Sequence, residues 1–336
     1  MLVRARYLPS ALRAGLNRAR RRLRARPRPA ILMYHRIAEE SFDPWGLAVS
    51  PARFAEQIAW LRDKREILPL HAFVDLHRAG RLPAKAVAIT FDDGYACNAR
   101  FAAPLLERMD AAATIFLPAE LIEEGREFWW DELERIVIGH NADAIDLATP
   151  QGVTPIQIGA ARDDDRNWRP HQPPRTARQQ GFHRIWSALR TLDPSRQREA
   201  MEMLRRQSDV PERPRDSHRP MTVAEVRRLQ SDRIVMGSHS LTHTSLSHRS
   251  AREQTAEIVA SRSRCAEITG QAPLSFAYPY GDYDESAVRL AEEAGYICAC
   301  TTDPSPVRAS ASPYALPRIQ VEDWDAVMLA RTLRAP

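Results

Sequence analysis

Lysine is nearly missing from this 336-residue chain: Lys64 and Lys85 are the only two among 48 basic residues. The rest are arginines that do not cluster beyond residue 28, which we read as genomic base composition rather than a nucleic-acid footprint. Cysteine is scarce too. Cys97, Cys265, Cys298 and Cys300 are too few and too scattered for a disulfide framework, so reduced, structural thiols are expected. No run approaches the ~20 consecutive apolar residues of a membrane-spanning helix. Residues 1–28 contain no acid and no apolar core of the kind a secretory signal carries, so a cytoplasmic protein is expected.

The 44% apolar and 27% charged residues are the ordinary mixture of a soluble folded protein, which excludes disorder, collagen-like repeats and coiled coil as the main state. At this length a large core can form without disulfides or structural metals. The net charge of +5 is a property of one end. Ten arginines fall within residues 1–28, leaving 38 basic against 43 acidic groups in residues 29–336, a net of −5. Leu12, Leu16 and Leu23 among those arginines could face an anionic membrane from a basic helix; the alternative is a solvated tail.

Apolar runs of strand length alternate with helical stretches. Strands are expected at Ile31–His35, Ala86–Phe91, Ala113–Leu117, Ile234–Gly237, Ser275–Tyr278 and Tyr296–Thr301. Between them helices are expected at Pro51–Lys64, Asn98–Met109, Ser250–Thr269 and Asp284–Ala294. This alternation argues for an α/β parallel sheet or barrel with function at the carboxyl ends of the strands. It is interrupted at about 125–220, read as an insertion into a main domain spanning 29–336. There Phe128–Gly139, Phe182–Leu192 and Arg196–Gln207 read as helices, and the Pro-, Gln-, Arg- and Asp-rich residues 149–180 as a long loop or a partly ordered segment.

Three patches close predicted strands. Thr90-Phe91-Asp92-Asp93-Gly94 sets two carboxylates side by side; alternation along a strand would make them diverge, one toward a metal and one toward a reacting centre. Asp-Asp-Gly is also an everyday turn. His239-Ser240-Leu241-Thr242-His243 has the i, i+4 spacing that puts two imidazoles on one face of a helical turn, as two ligands of one metal; surface or capping histidines are the alternative. Phe276-Ala277-Tyr278-Pro279-Tyr280-Gly281 could hold a backbone N–H toward a pocket, or simply end a core strand.

In this order and spacing the patches resemble the first three motifs of the polysaccharide deacetylase, or NodB-homology, family. The resemblance covers roughly residues 30–125 and 220–320. It implies a distorted seven-stranded (β/α) barrel and metal-dependent hydrolysis of acetyl groups on a saccharide. Carried over by position, Asp93, His239 and His243 would bind a divalent ion, most often zinc, and Asp92 would be the general base. The backbone N–H of Tyr280, set by Pro279, would help hold the oxyanion.

Two positions depart from that pattern. Where many members have an arginine steadying the catalytic aspartate, Ala277 stands; Arg318, in Leu316-Pro317-Arg318-Ile319, is the candidate substitute, the alternative being an ordinary surface arginine. No histidine follows His248, so the late histidine acid of many members is missing. His35, in Met33-Tyr34-His35, resembles the early acid of the branch acting on poly-β-1,6-N-acetylglucosamine; a structural rim histidine is the alternative. The resemblance thus implies an N-acetylated amino-sugar substrate of a bacterial polysaccharide, oligosaccharide or glycolipid precursor. The alternatives are an O-acetyl esterase and a catalytically silent saccharide-binding protein. Trp129 and Trp130 could stack on sugar or pack in a core, His248 has no assigned role, and no nucleic-acid partner is expected.

Overall fold

The computed structural model describes residues 27–334 except 170, 171 and 212, so the basic segment lies outside the described residues apart from Pro27 and Arg28. Twelve strands are described: β1 (Ala30–Tyr34), β2 (Arg36–Ile37), β3 (Ala48–Val49), β4 (Glu66–Ile67), β5 (Ala86–Phe91), β6 (Ala113–Leu117), β7 (Ala144–Thr149), β8 (Gly152–Gln157), β9 (Ile234–Ser238), β10 (Ser275–Ala277), β11 (Cys298–Cys300) and β12 (Ile319–Gln320). Seven of them form a parallel ribbon in the order β11-β10-β9-β6-β5-β1-β12, with β4 added beside β5. Its two ends approach each other: Leu316, shortly before β12, accepts from Thr301 N at 2.8 Å and donates to Ala299 O at 2.9 Å. The architecture is the seven-stranded (β/α) barrel expected.

Burial on both sides explains why these strands read as continuous apolar runs rather than alternating ones. Every residue of β1, β5 and β6 is buried. Helices wrap the outside. In Pro51–Lys64, Phe54, Ile58 and Leu61 form the buried stripe, Ser50 caps the start and Pro51 fills the first turn. All four cysteines are free and buried. Among the described residues no helix is long and apolar enough to cross a membrane.

The region at 125–220 builds its own core, with Phe128, Leu133, Ile185, Leu189 and Leu204 buried together. Residues 149–180 are not the long loop their composition suggests. β7 and β8 make an antiparallel hairpin around Pro150 and Gln151. Only one side of the ribbon is covered, through Ile145, Leu147 and Ile156, so its exposed side carries the polar residues that mask the strand pattern. The helix expected from Phe182 begins at Ala177, because Thr176 and Gln179 form a capping box five residues earlier. Arg178, fully buried, donates to the carbonyls of Val137, His140 and Gly159, tying this helix to the end of the helix Trp129–Gly139 and to the segment after β8.

The later strand expected beside Arg318 is β12, only two residues long, and pairing with Leu32 and Met33 of β1 fixes its bounds. Two of the expected helices are also interrupted, with π turns at Asn98–Ala102 and Ala256–Ala260.

Candidate functional site

The parallel strands deliver their loops to one rim. His35 follows β1, Asp92 and Asp93 follow β5, His239 follows β9, Tyr280 follows β10 and Thr302 follows β11. They meet in a cavity of about 260 Å³, walled also by Trp45, Trp130, Trp186, Arg190 and Gln320.

The Asp-Asp-Gly turn positions its carboxylates by a different device from strand alternation. Asp93 and Gly94 both adopt left-handed backbone, φ 68° and 66°. A Cβ at Gly94 would come within 2.7 Å of Leu117, so the turn needs glycine there. Asp92, 2% exposed, stays in register because its N–H donates to Tyr34 O at 2.9 Å.

The two histidines are likewise not on a helical turn. Ser240 and His243 adopt φ 64° and 57°, and residues 239–245 form an irregular loop. Local hydrogen bonds replace the helix. Ser240 Oγ accepts from His243 N at 3.0 Å, and the Glu257 carboxylate accepts from Leu241 N, Thr242 N and Thr242 Oγ1. The i, i+4 spacing still brings both imidazoles together, because the loop folds back as tightly as a helix would.

Asp93, His239 and His243 converge, each offering a ligand atom within 4.8 Å of the others. His243 Nε2 is 3.3 Å and His239 Nε2 3.6 Å from Asp93 Oδ1. Burial lowers His239 to about 4 and His243 to about 3, so both rings are neutral near pH 7. His239 Nδ1 lies 2.7 Å from the carbonyl of Ala277, which can only accept, so Nδ1 carries the proton and Nε2 a lone pair. That lone pair faces an Asp93 oxygen that is buried and has no hydrogen-bond partner among the described residues. Burial also raises the Asp93 carboxyl. Lone pairs directed at lone pairs inside a buried site form a donor set that fits a divalent cation.

Asp92 is held differently. Arg318, fully buried one residue before β12, donates from Nη1 to Oδ1 at 2.6 Å and from Nη2 to Oδ2 at 2.7 Å. Arg318 is itself oriented by Thr301 O at 2.9 Å and Thr90 Oγ1 at 3.2 Å. Burial by itself would raise the Asp92 carboxyl, but the Arg318 guanidinium, with His239 adding to it, holds it well below the usual carboxylate range. Arg318 is thus no surface arginine. Its guanidinium reaches Asp92 from β12, while the buried Ala277 offers its carbonyl to His239.

His35 Nε2 is 4.0 Å from Asp92 Oδ2, and its side chain is 13% exposed to the cavity. Burial pulls its pKa below the ordinary histidine value, the carboxylates of Asp93 and Asp92 opposing the shift. Tyr280 sits at φ 59° in the turn Pro279–Gly281. A Cβ at Gly281 would lie 2.0 Å from Thr302 Oγ1, so the turn closes onto β11 only with glycine. Pro279 opens this turn but, like Arg318, is not among the cavity's walls.

Trp129 and Trp130 are both buried in the core of the 125–220 region, and only Trp130 reaches the cavity. Trp45, Trp186 and Arg190 were not singled out in the sequence. The rings of Trp45 and Trp186 lie 4.6 Å apart, and the Arg190 guanidinium stands 5.1 Å from the ring of Tyr280 and 5.6 Å from that of Trp186. No motif surrounds them. The available signal was the aromatic content of Phe182–Leu192, a helix otherwise rich in polar residues. His248 is displaced from the cluster, bonded through Nδ1 to Ser245 Oγ at 3.1 Å.

The sequence model of the polysaccharide deacetylase family matches residues 79–143 and 196–299. A Bacillus subtilis protein named as polysaccharide deacetylase YxkH is 22% identical over 293 residues, covering 87% of this chain and 70% of its own length. The Escherichia coli poly-beta-1,6-N-acetyl-D-glucosamine N-deacetylase is 36% identical over 66 residues, 19% of this chain and 10% of that protein. Among solved structures, Streptococcus pyogenes deacetylase PplD in complex with acetate superposes with TM-score 0.60 at 18% identity, covering 92% of this chain and 99% of that one. IcaB from Ammonifex degensii does so with TM-score 0.58 at 17% identity, covering 92% and 98%.

Proposed function

The chain belongs to the polysaccharide deacetylase family, and on that premise we propose that it is a metal-dependent hydrolase removing acetyl groups from N-acetylated amino sugars of a bacterial polysaccharide, oligosaccharide or glycolipid precursor. The observation that carries this reading is the pairing of two unlike carboxylates. Asp93 opens toward two neutral imidazoles, while Asp92, its neighbour, is held by a guanidinium.

Asp93, His239 and His243 would hold the divalent ion; a two-imidazole, one-carboxylate set accepts several such ions, and the family resemblance points to zinc. The ion would supply Lewis acidity, polarising an acyl oxygen and easing deprotonation of water. Asp92 would take the water's proton, the Arg318 ion pair keeping it ionised and fixed in place. His35 Nε2, 4.0 Å from Asp92 Oδ2, would return a proton to the leaving amine. The Tyr280 N–H would contribute to the oxyanion site. Trp45, Trp186 and Tyr280 would pack on sugar faces and exclude water. The short stretch shared with the Escherichia coli enzyme supports an N-acetyl rather than an O-acetyl substrate. The ten arginines of residues 1–28 support a place of action beside an anionic membrane surface.

The reading predicts that zinc-loaded protein releases primary amine from N-acetylglucosamine oligomers. Acetate released only from acetylated xylan would replace it with an esterase. Metal bound with neither product formed would favour a saccharide-binding protein.

A further inference from the structure

We propose that Trp130 is a positioning residue for His243, holding its imidazole by tilted aromatic contact where Nδ1 has no hydrogen-bond partner among the described residues; the inference rests on the metal-site reading above.

The two histidines are supported in unlike ways. His239 is fixed through Nδ1 by the carbonyl of Ala277 at 2.7 Å. His243 Nδ1 is buried and has no hydrogen-bond partner among the described residues. Ligand imidazoles ordinarily have such a partner, which sets the plane of the ring. What touches His243 is aromatic. The Trp130 ring lies 4.5 Å away at 43°, and the Tyr280 ring 4.6 Å away at 80°.

A clamp works only if its jaws are fixed, and Trp130 is. Its Nε1 donates to Tyr95 Oη at 2.9 Å, and Tyr95 Oη donates to Asp131 Oδ2 at 2.7 Å, all three side chains being buried. Phe128 stacks on it at 4.8 Å and 8°, and Trp129 meets its edge at 5.7 Å. Tyr95 follows the Asp92-Asp93-Gly94 turn directly. One hydrogen-bonded bracket therefore spans the loop that carries Asp93 and the ring that packs on His243. Dispersion and quadrupole contacts fix the plane of the His243 ring without engaging its nitrogens. The first helix of the 125–220 region, Trp129–Gly139, thereby belongs to the metal centre as well as to its own core.

The test is Zn²⁺ affinity by competition with a chelating dye, together with the visible spectrum of the Co²⁺-loaded protein. It compares wild type, Trp130→Ala, Trp130→Phe and Leu204→Ala. Leu204 is fully buried in the same core and makes a control for general loosening. Trp130→Ala is expected to lose roughly 10- to 100-fold in affinity and to change the cobalt spectrum, the scale seen for outer-sphere partners. Trp130→Phe should recover most of that loss, and Leu204→Ala should stay within about threefold of wild type on this scale. The inference is overturned if folded Trp130→Ala binds within about threefold of wild type, or if Leu204→Ala loses as much. Wild type that binds neither metal overturns the site reading itself, and the inference with it.

Discussion

Replacing Arg318 with methionine is expected to cost about 3–5 kcal/mol of stability at pH 7 and to abolish turnover, because it strands a buried carboxylate. Asp92 is 2% exposed, and both of its oxygens accept from Arg318. The pH dependence gives the loss a signature. In wild type the folded pKa of Asp92 is depressed, so its contribution is present above the ordinary carboxylate value and is lost as pH falls below it. Without the guanidinium, the burial that already pushes Asp92 upward has less to oppose it, and the folded pKa moves above the unfolded one. The variant should then regain stability as pH falls from 7 toward 4.5, whereas wild type should not gain from this group. Urea denaturation at the two pH values measures this. Equal losses at both would mean that the pair matters for packing rather than charge.

A second large effect is expected at His35. Hydrolysis of an amide needs a proton on the departing nitrogen, and general acid catalysis of this kind contributes roughly 10²–10⁴-fold. His35→Gln should therefore cut amine release from N-acetylglucosamine oligomers by roughly that factor. The same variant should hydrolyse 4-nitrophenyl acetate within a few-fold of wild type, because a nitrophenolate leaves without protonation. Steady-state kinetics on the two substrates separates the roles. If both rates fall together, His35 is holding the rim or Asp92, whose Oδ2 is 4.0 Å from its Nε2, and another group supplies the proton.

The barrel was legible in the sequence because its strands are buried on both sides and therefore read as continuous runs, as in β5 and β6. The rim residues were legible because Asp92, Asp93, His239 and His243 sit within short motifs closing those strands. What escaped has a common physical cause. β12 is two residues long and owes its extent to β1, so no local pattern gives its bounds or pairing, although Arg318 in Leu316-Pro317-Arg318-Ile319 was legible as a partner for Asp92 from a later strand. The hairpin β7–β8 is covered on one side only and carries turn-like residues on the other. The left-handed backbone at Ser240 and His243 replaces the helical turn expected there, and at Asp93 it sets the carboxylates where strand alternation was expected to; three non-glycine residues in that conformation have no compositional signature. The clustering of Trp45, Trp130 and Trp186 depends on how the 125–220 region folds over the rim. Tertiary packing alone decides it.

The central claim is that two adjacent aspartates carry different tasks, one holding metal and the other moving a proton. It is tested by measuring metal content and amine release side by side for wild type, Asp92→Asn and Asp93→Asn, each reconstituted with zinc. The account predicts one metal ion per chain in wild type and Asp92→Asn, none retained by Asp93→Asn, and amine released by wild type alone, with Asp92→Asn down by roughly 100-fold or more. Metal retained by Asp93→Asn, or lost from Asp92→Asn while that protein stays folded, would contradict it.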